Sequence, residues 1–485
     1  MNSKAIASGD WRATRAAEAE GTPSARLGLG ALSLATLLSS LGTSIANVAL
    51  PTFATAFQAS LQQVQWIVLA YLLAVTTLIV SAGRLGDLAG RRRLFLGGVS
   101  LFTLASAACG IAPTLGLLIF ARAAQGLAAA VLTALAMPFV AATVPQPRIG
   151  SAMGLLGTMS AVGTALGPSL GGVLIAAFGW RAIFFVNLPL GILTWVLASR
   201  HLPADDLARK EGRPAFDYGG TLLLAGTLGA YAMAMTIGRG AFGLRNVALL
   251  GIAAAGAAFF ALAQTKSSSP LIGIAVLRDR GASARLAMST LVTTVVMATL
   301  VVGPFYLSGA LGLGAARTGM VMTCGPIVAA LAGIPAGRFV DRLGTRRMTL
   351  AALLAMVSGA AGMAFVSARF GIGGYIAPLV VLTAGYALFQ AANNTAAMSG
   401  VRPDQRGVVS GMLNLSRNLG LITGASVMGA LFALGSGATN AAAVRADAVE
   451  AGMRMTFVVA VGLVVAALAI AWRSRRAGTD AEQRG

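Results

Sequence analysis

The stretch GRLGDLAGRRR at residues 83–93 returns 254 residues later as GRFVDRLGTRR at residues 337–347. A glycine, an arginine, an aspartate, a second glycine and two arginines match in register between the copies. Each copy separates two long apolar runs, so a charged group occupies the same place in each half of a hydrophobic chain. The repetition predicts that the chain is built from two copies of one membrane unit.

The composition predicts a membrane protein with many spans. Hydrophobic residues make up 57% of the 485 residues and charged residues only 11%, against about 25% in soluble proteins. The net charge of +21 does not point to nucleic acid, because the 36 Lys and Arg residues are scattered between apolar runs and form no basic domain. One histidine and two cysteines imply no metal site, and no cofactor is expected.

A spanning helix needs about 20 mostly apolar residues, and fourteen runs of the sequence qualify. They lie near 29–50, 63–83, 94–112, 115–141, 149–177, 182–200, 218–238, 246–265, 285–310, 317–338, 348–368, 374–399, 406–434 and 453–472. With the N-terminus inside, 27 of the 36 basic residues fall on the cytoplasmic side. This bias predicts that both termini, and both copies of the charged stretch, are cytoplasmic.

A second pair of similar segments indicates that the two halves have the same orientation. GLLGTMSAVGTALGPSLGGVL (154–174) matches GMLNLSRNLGLITGASVMGAL (411–431), with four glycines at an offset of 257. Runs 1–6 therefore pair with runs 9–14 as parallel repeats, the pattern of a two-bundle secondary transporter. The predicted parts are an N-terminal tail (1–28), a six-helix bundle (29–200), loops with two inserted helices (201–284), a second six-helix bundle (285–472) and a C-terminal tail (473–485).

Several motifs resemble those of the major facilitator superfamily, specifically its fourteen-helix drug:proton antiporter branch. Besides residues 83–93 they are SIANVALP (44–51), WIVLAYLLA (66–74), FARAAQGLAAA (120–130), GTALGPSLGG (163–172), GWRAIFFVNLPLG (179–191), FDYGG (216–220) and FQAANN (389–394). The resemblance implies an all-α, multi-pass protein of a bacterial inner membrane, in which two bundles alternate access to a central cavity. It also implies export of small amphipathic compounds, such as drugs or antibiotics, in exchange for protons. A dedicated exporter of one metabolite or self-made antibiotic, and a weakly coupled facilitator, remain open.

The charged stretch carries the first group of candidate functional residues. Positive-inside anchoring explains its arginines, but neither Asp87 nor the repeated spacing. By the resemblance, Asp87 latches the outward-open state by pairing with arginine, with a helix end across the bundle interface as a further candidate partner. Exposed ion pairs contribute only ~0–1 kcal/mol, and a bias of a few kcal/mol is enough for a gate. The predicted latch residues are Gly83, Asp87, Gly90, Arg91, Arg92, Asp341 and Arg342.

Arg122 lies inside the fourth apolar run, with Gln125 one turn along. An arginine at mid-membrane costs at least ~2.5 kcal/mol. Its side chain either extends toward the outer end of its helix or has a function. The resemblance implies a role in proton coupling or in holding the central cavity, and Asp217 is grouped with these two residues.

The fifth run carries small residues at helical spacing around a proline. They are Gly163, Gly167, Pro168, Gly171 and Gly172. The pattern indicates either a generic packing seam or, by the resemblance, a hinge against the second half of the protein. The partner is helix 8 of a twelve-helix scheme, and whether it is helix 11 of the present fourteen stays open.

Polar and aromatic residues at membrane depth are the candidates for a substrate cavity. The set is Asn47, Trp66, Tyr71, Phe305, Tyr306, Phe389, Gln390, Asn393 and Asn394. Aromatic walls suit an apolar ligand, cationic ones included. Ordinary packing, interhelical hydrogen bonding and the interfacial aromatic belt are the alternatives for each of them.

None of the 15 carboxylates is predicted at mid-membrane. The family often carries an acid in helix 1, and Gly42 stands near that place. Asp447 and Glu450 are assigned to the outer loop before the last span. A dicationic drug would therefore find no deep counter-charge, so a neutral, zwitterionic or anionic substrate is easier to accommodate beside Arg122 and Arg417. Proton coupling is expected through Asp87, Asp217 or Asp341, or is weak.

Other classes of protein fit the sequence less well. A membrane enzyme needs clustered histidines, cysteines or acids at depth. An ATP-driven pump needs a GxxxxGK[ST] motif, which the sequence lacks. A channel needs a ring of matched pore residues, and a non-transporting sensor needs a soluble relay domain. The expected partners are a small-molecule substrate, protons and the lipid bilayer, and the oligomeric state is open.

Overall fold

A computed structural model describes residues 23–144, 149–205, 217–237, 243–266, 279–399, 406–437 and 446–482. These residues form an all-α protein, without a β-strand among them. The fourteen long helices are Pro23–Val48 (α1), Leu61–Ala89 (α2), Arg91–Ile111 (α3), Leu115–Thr143 (α4), Ile149–Phe178 (α5), Asn187–His201 (α6), Tyr218–Thr236 (α7), Leu244–Lys266 (α8), Arg280–Gly309 (α9), Ala315–Leu343 (α10), Thr345–Ala364 (α11), Gly371–Met398 (α12), Arg406–Thr423 (α13) and Ala446–Glu482 (α14).

Short helical pieces extend four of these elements, and one of the pieces is the 3₁₀ turn Ala368–Phe370 before α12. Leu50–Ala56 follows α1, and Ala182–Phe185 precedes α6. Helix α13 continues through one π-helical turn, Gly424–Met428, into a last α-helical piece, Gly429–Ser436. Pro168 of α5 aligns with Ala425 at the repeat offset of 257. The two halves therefore both interrupt regular α-helical hydrogen bonding at this level, one by a proline and one by a π-turn.

Thirteen helices in the described parts of the chain are long and apolar enough to cross a membrane. They match thirteen of the fourteen predicted spans. The remaining prediction falls on α7, which forms a helix of 19 residues but is not among the thirteen. Its sequence YGGTLLLAGTLGAYAMAMT holds four glycines and three threonines, which lower its hydropathy.

The helices pack mainly within two groups, α1–α6 and α9–α14. Contacts between the groups run from α5 to α10 and from α2 to α13. The inserted pair lies beside the second of these contacts, because α7 hydrogen-bonds both partners. Trp66 Nε1 of α2 donates to Thr236 Oγ1 at 3.1 Å, and the Tyr231 hydroxyl donates to Thr423 Oγ1 of α13 at 3.1 Å. The insertion therefore borders both groups on one side of the molecule.

The repeated charged stretches are helical apart from one glycine in each. Gly90 (φ 95°) separates α2 from α3, and Gly344 (φ 83°) separates α10 from α11. Glycine is needed there because other residues rarely adopt a positive φ. We call the end of the molecule that carries these two glycines the motif end, and the other the far end. At the far end, the assignment of Asp447 and Glu450 to a loop is wrong, since α14 already begins at Ala446.

Candidate functional site

Arg122 is the centre of a buried hydrogen-bonded network in the first half. Its side chain is 0% exposed. Nε donates to the Ile67 carbonyl of α2 at 3.0 Å, and Nη1 donates to the Gly42 carbonyl of α1 at 3.0 Å. The guanidinium also lies 4.2 Å from the ring centroid of Tyr71. The alternative that Arg122 extends toward the outer end of its helix is therefore wrong, because its donors end on carbonyls inside the bundle.

Gln125 extends the network to a fourth helix. Its Oε1 accepts from Arg122 Nη1 at 2.5 Å, and its Nε2 donates to Ser106 Oγ of α3 at 2.6 Å. Gln125 and Ser106 are both 0% exposed. The network thus connects α1, α2, α3 and α4 through one cation, while the Arg122 Nη2 group has no hydrogen-bond partner. Among the described residues, no carboxylate is hydrogen-bonded to this arginine.

Gly42 is the residue of α1 whose carbonyl accepts from Arg122. It stands near the place where the resemblance led us to expect an acid. A Cβ atom at this position would lie 3.1 Å from the Phe102 ring and 3.4 Å from the Tyr71 hydroxyl. The space beside Gly42 is therefore narrow, and a larger side chain would have to displace the Phe102 ring or the Tyr71 hydroxyl.

The first charged stretch makes its described contacts inside its own half. Arg92 donates through Nη2 to the Ser199 carbonyl of α6. The backbone N–H groups of Arg92 and Arg93 donate to the two carboxylate oxygens of Asp205, at 2.8 and 3.0 Å. Asp205 thus caps the start of α3, where a carboxylate is favoured by the unpaired N–H groups and the helix dipole. The side chain of Asp87 lies outside the described residues, so its predicted pairing remains a prediction.

The second copy is arranged differently. Asp341 and Arg342 are exposed, and nothing lies within 4 Å of a Cβ built on Gly344. A Cβ on Gly90 would instead fall against the Asp205 carboxylate. Sequence reasoning missed Asp205, because a cap supplied from more than 110 residues away leaves no local pattern.

This difference predicts unequal costs for the same substitution. Gly90→Ala and Gly344→Ala both place alanine at a positive φ with extended ψ, which costs about 1–3 kcal/mol, but only Gly90→Ala also displaces the Asp205 cap, worth about 1 kcal/mol. We expect Gly90→Ala to lower the thermal unfolding temperature of the detergent-purified protein further than Gly344→Ala does. Equal shifts would show that the cap contributes nothing.

The glycines of α5 lie against two different helices. Cβ atoms on Gly163, Gly167 and Gly171 would contact α1 between Leu37 and Val48, and Ser44 Oγ donates to the Gly163 carbonyl at 3.2 Å. A Cβ on Gly172 would lie 2.5 Å from the Ala315 carbonyl oxygen and 3.1 Å from Gly319 Cα, both of α10. A Cβ on Gly319 would in turn meet the Pro168 carbonyl. The partner of this segment across the halves is therefore α10, the second helix of the second bundle.

The two halves touch at the far end and separate at the motif end. Gly154 and Gly337 lie 18 residues from Gly172 and Gly319 along α5 and α10, about five turns and ~27 Å away on the same helix faces. If α5 and α10 ran parallel along their whole length, their contact at Gly172 and Gly319 would also bring Gly154 and Gly337 together. No atom of the described residues lies within 4 Å of a Cβ on either of them. The helices therefore diverge like a wedge.

The contact of α2 with α13 shows the same divergence. At the far end, a Cβ on Gly429 would fall on the side-chain amide of Gln65. Toward the motif end, Gly83 and Gly411 have no atom of the described part of the chain within 4 Å of a Cβ. Gly83, predicted as a latch residue, thus faces open space in this conformation.

The candidate cavity residues of the first half have structural partners. Asn47 is 1% exposed and donates to the Thr43 carbonyl at 3.1 Å, but its Oδ1 is unpaired. Trp66 contacts α7 as described above, and the Tyr71 hydroxyl donates to the Ser39 carbonyl at 2.9 Å. Trp66 and Tyr71 therefore serve helix packing in this conformation.

The candidates of the second half are more dispersed. Phe305 packs against Phe432 with ring centroids 6.1 Å apart and lines a cavity at the far end. Tyr306 stacks on Tyr375 at 5.8 Å. The other four all lie on α12: Phe389 and Asn393 are buried, Gln390 donates to the Tyr386 hydroxyl at 2.8 Å, and Asn394 is exposed.

Asp217 caps the start of α7. Its Oδ1 accepts from the Gly220 N–H at 2.7 Å, and its Oδ2 accepts from Gln264 Nε2 of α8 at 2.9 Å. The contact with Gln264 joins the two inserted helices. The structure brings neither Arg122 nor Gln125 to this carboxylate, so the three residues predicted as one group occupy two separate sites.

Comparisons with known proteins agree with this architecture. Multidrug resistance protein Stp of Mycobacterium tuberculosis (strain ATCC 25618 / H37Rv) is 33% identical over 398 residues, covering 81% of this chain and 73% of Stp. Riboflavin transporter RibZ of Clostridioides difficile (strain 630) is 30% identical, covering 82% of this chain and 86% of RibZ. A crystal structure of a bacterial homolog to the human lysosomal transporter Spinster shares the fold, with a TM-score of 0.68 at 16% identity over 94% of this chain and 98% of that one.

The family model described as Major Facilitator Superfamily matches residues 32–425 and 286–485. These matches cover nearly the whole of both repeats. The buried Arg122 and the glycine contacts of α5 both lie within them, in segments whose sequences resemble motifs of this family. The chain therefore belongs to the Major Facilitator Superfamily and is a membrane transporter, not an enzyme.

Proposed function

We propose that the protein exports small amphipathic compounds across a bacterial inner membrane by alternating access, in exchange for protons. The observation that carries the proposal is the wedge formed by α5 and α10, which touch at Gly172 and Gly319 and diverge toward Gly154 and Gly337. A transporter that alternates access needs a conformation of this kind, closed at one end and open at the other. The similarity to Stp, whose name describes multidrug resistance, supports drug efflux.

Orientation follows from the distribution of charge. The motif end carries most of the basic residues, 27 of 36 when the N-terminus is assigned to the cytoplasm. The motif end is then cytoplasmic, both termini are cytoplasmic, and the conformation is inward-open. The predicted latch around Asp87 belongs to the outward-open state, in which α2 and α13 would close at the motif end.

Substrate charge follows from the groups that are buried. Among the described residues of the first half, Arg122 is the fully buried cation, and its partners are carbonyls, an amide and an aromatic ring. No described acid is buried, so an anionic substrate meets no repulsion from one. A neutral or zwitterionic substrate likewise needs no buried acid as a counter-charge. The similarity to RibZ, whose name describes a riboflavin transporter, favours a second candidate, a dedicated transporter of one metabolite.

Transport by everted membrane vesicles tests the proposal. An inside-acid pH gradient is expected to drive uptake of a neutral dye into vesicles that contain the protein, and dissipating the gradient is expected to abolish it. Uptake that is equal with and without the gradient would instead establish a facilitator.

The residues of proton coupling are tested in the same assay. We expect at least one of Asp87→Asn, Asp217→Asn and Asp341→Asn to uncouple uptake from the gradient. Gradient-driven uptake by all three variants would place the coupling elsewhere.

A further inference from the structure

A cavity at the far end lies between the two halves and is distinct from the space that opens at the motif end. Its volume is about 480 Å³, within the range of small-molecule sites. It is lined from the first half by the end of α1, the segment Leu50–Ala56 and Leu61, and from the second half by α9, α10, α14 and the last piece of α13. The lining thus comes from both halves, and a ligand here would touch both.

Gln65 and Gly429 pack against each other one helical turn beyond the lining of this cavity. Leu61 and Gln65 are four residues apart on α2, so Gln65 lies one turn deeper on the same face as the lining residue. Gly429, Phe432 and Ser436 likewise follow one face of the last piece of α13, and the latter two line the cavity. Gln65 is 1% exposed, and both polar atoms of its amide lack hydrogen-bond partners. The two halves are therefore in close contact directly beneath the cavity.

The chemistry of the wall is uncharged and rich in hydrogen-bond acceptors. None of the described lining residues is charged, and Phe305 and Phe432 supply the aromatic surface. Ser308 and Ser436 donate their hydroxyl protons to carbonyls of their own helices, Pro304 at 2.7 Å and Ala433 at 3.2 Å. A hydroxyl that has donated in this way keeps its lone pairs. The wall therefore favours a ligand that brings its own O–H or N–H donors.

We propose that the far-end cavity is a second binding site, for a flat, uncharged molecule that carries hydroxyl or N–H donors. The site is accessible from the far end while the halves are closed there, because Thr55 and Gly309 at its rim are exposed and Phe305 and Phe432 at its depth are buried. Thr52, Thr318 and Ser436 add hydroxyls around the aromatic pair. Occupancy holds the far end closed, since the ligand bridges both halves.

Binding to the full chain in lipid nanodiscs tests the site without a proton gradient. Riboflavin is used as the uncharged, hydroxyl-rich probe, and ethidium as a flat cationic probe. We expect saturable quenching of riboflavin fluorescence, no competition by ethidium, and at least a tenfold loss of riboflavin affinity in Ser308→Trp and in Ser436→Trp. Thr318→Val, which removes a hydroxyl and adds little volume, is expected to weaken binding about three- to tenfold.

Ser358→Trp is the matched control, because Ser358 is exposed on α11 and also donates to a carbonyl of its own helix. It is expected to bind riboflavin as the unmodified protein does. Absence of saturable riboflavin binding, competition by ethidium, or unchanged affinity in both the Ser308→Trp and Ser436→Trp variants would overturn the proposal. Failure of gradient-driven uptake bears only on the proposed function, because these measurements do not depend on transport.

Discussion

Replacement of Arg122 by alanine is expected to reduce export at least tenfold and to lower the thermal unfolding temperature of the purified protein. The substitution removes the donors for the Gly42 and Ile67 carbonyls and for the Gln125 amide oxygen, all inside the bundle. The Gly42 and Ile67 carbonyls keep their partners within α1 and α2, but the Gln125 oxygen loses the donor it has here, and a buried acceptor left unpaired costs about 1–3 kcal/mol. Export from an efflux-deficient host and unfolding in detergent are the two measurements.

Arg122→Lys separates the charge from the geometry. A lysine keeps the cation but loses the planar group that reaches two helices at once and stacks on Tyr71. We expect export by Arg122→Lys to stay well below that of the unmodified protein. Recovery of full export with lysine would show that the positive charge alone is required.

Arg417→Ala is the matched control. Arg417 is the other arginine predicted within a span, but the structure places it exposed on α13. Its removal is expected to change export less than twofold. Comparable losses in Arg122→Ala and Arg417→Ala would contradict the role assigned to the buried network.

The sequence was sufficient to predict the architecture and the two most informative sites. Apolar run length and the charge repeat depend on local composition, so thirteen spans and the parallel halves could be read directly. Arg122 and the α5 glycines were identified because a buried cation and closely spaced glycines are rare enough to need an explanation.

What the sequence could not predict depends on contacts between distant residues. The partners of Arg122 are mostly backbone carbonyls, which have no signature of residue type. Asp205 and the far-end cavity were missed because their groups come from separate helices. Trp66 was predicted to line a cavity but packs on α7, since an aromatic residue near a helix end is compatible with either role until the neighbouring helix is placed.

Replacement of Gly172 by leucine is expected to shift the transporter out of the conformation described here. The new side chain would push against the Ala315 carbonyl and Gly319 of α10, backbone atoms that cannot rotate away. Overpacking of this kind costs about 1–3 kcal/mol, which disfavours far-end closure by roughly 5- to 150-fold. The reporter is a cysteine at Gly411, which faces open space at the motif end, in a background with Cys324→Ser. Its labelling by a maleimide is expected to fall, and export to drop at least tenfold.

The substitution Gly154→Leu is expected to shift the conformational equilibrium in the direction opposite to Gly172→Leu. Gly154 lies on the same face of α5, five turns from Gly172, and nothing lies within 4 Å of its Cβ position. The added side chain meets no atom while the motif end is open, but it obstructs closure against Gly337. Gly154→Leu is therefore expected to leave maleimide labelling at Gly411→Cys unchanged or raised, while export falls as it does in Gly172→Leu. Labelling that moves in the same direction in both variants would rule out the wedge, because only helices that touch at one end and part at the other make the two positions act oppositely.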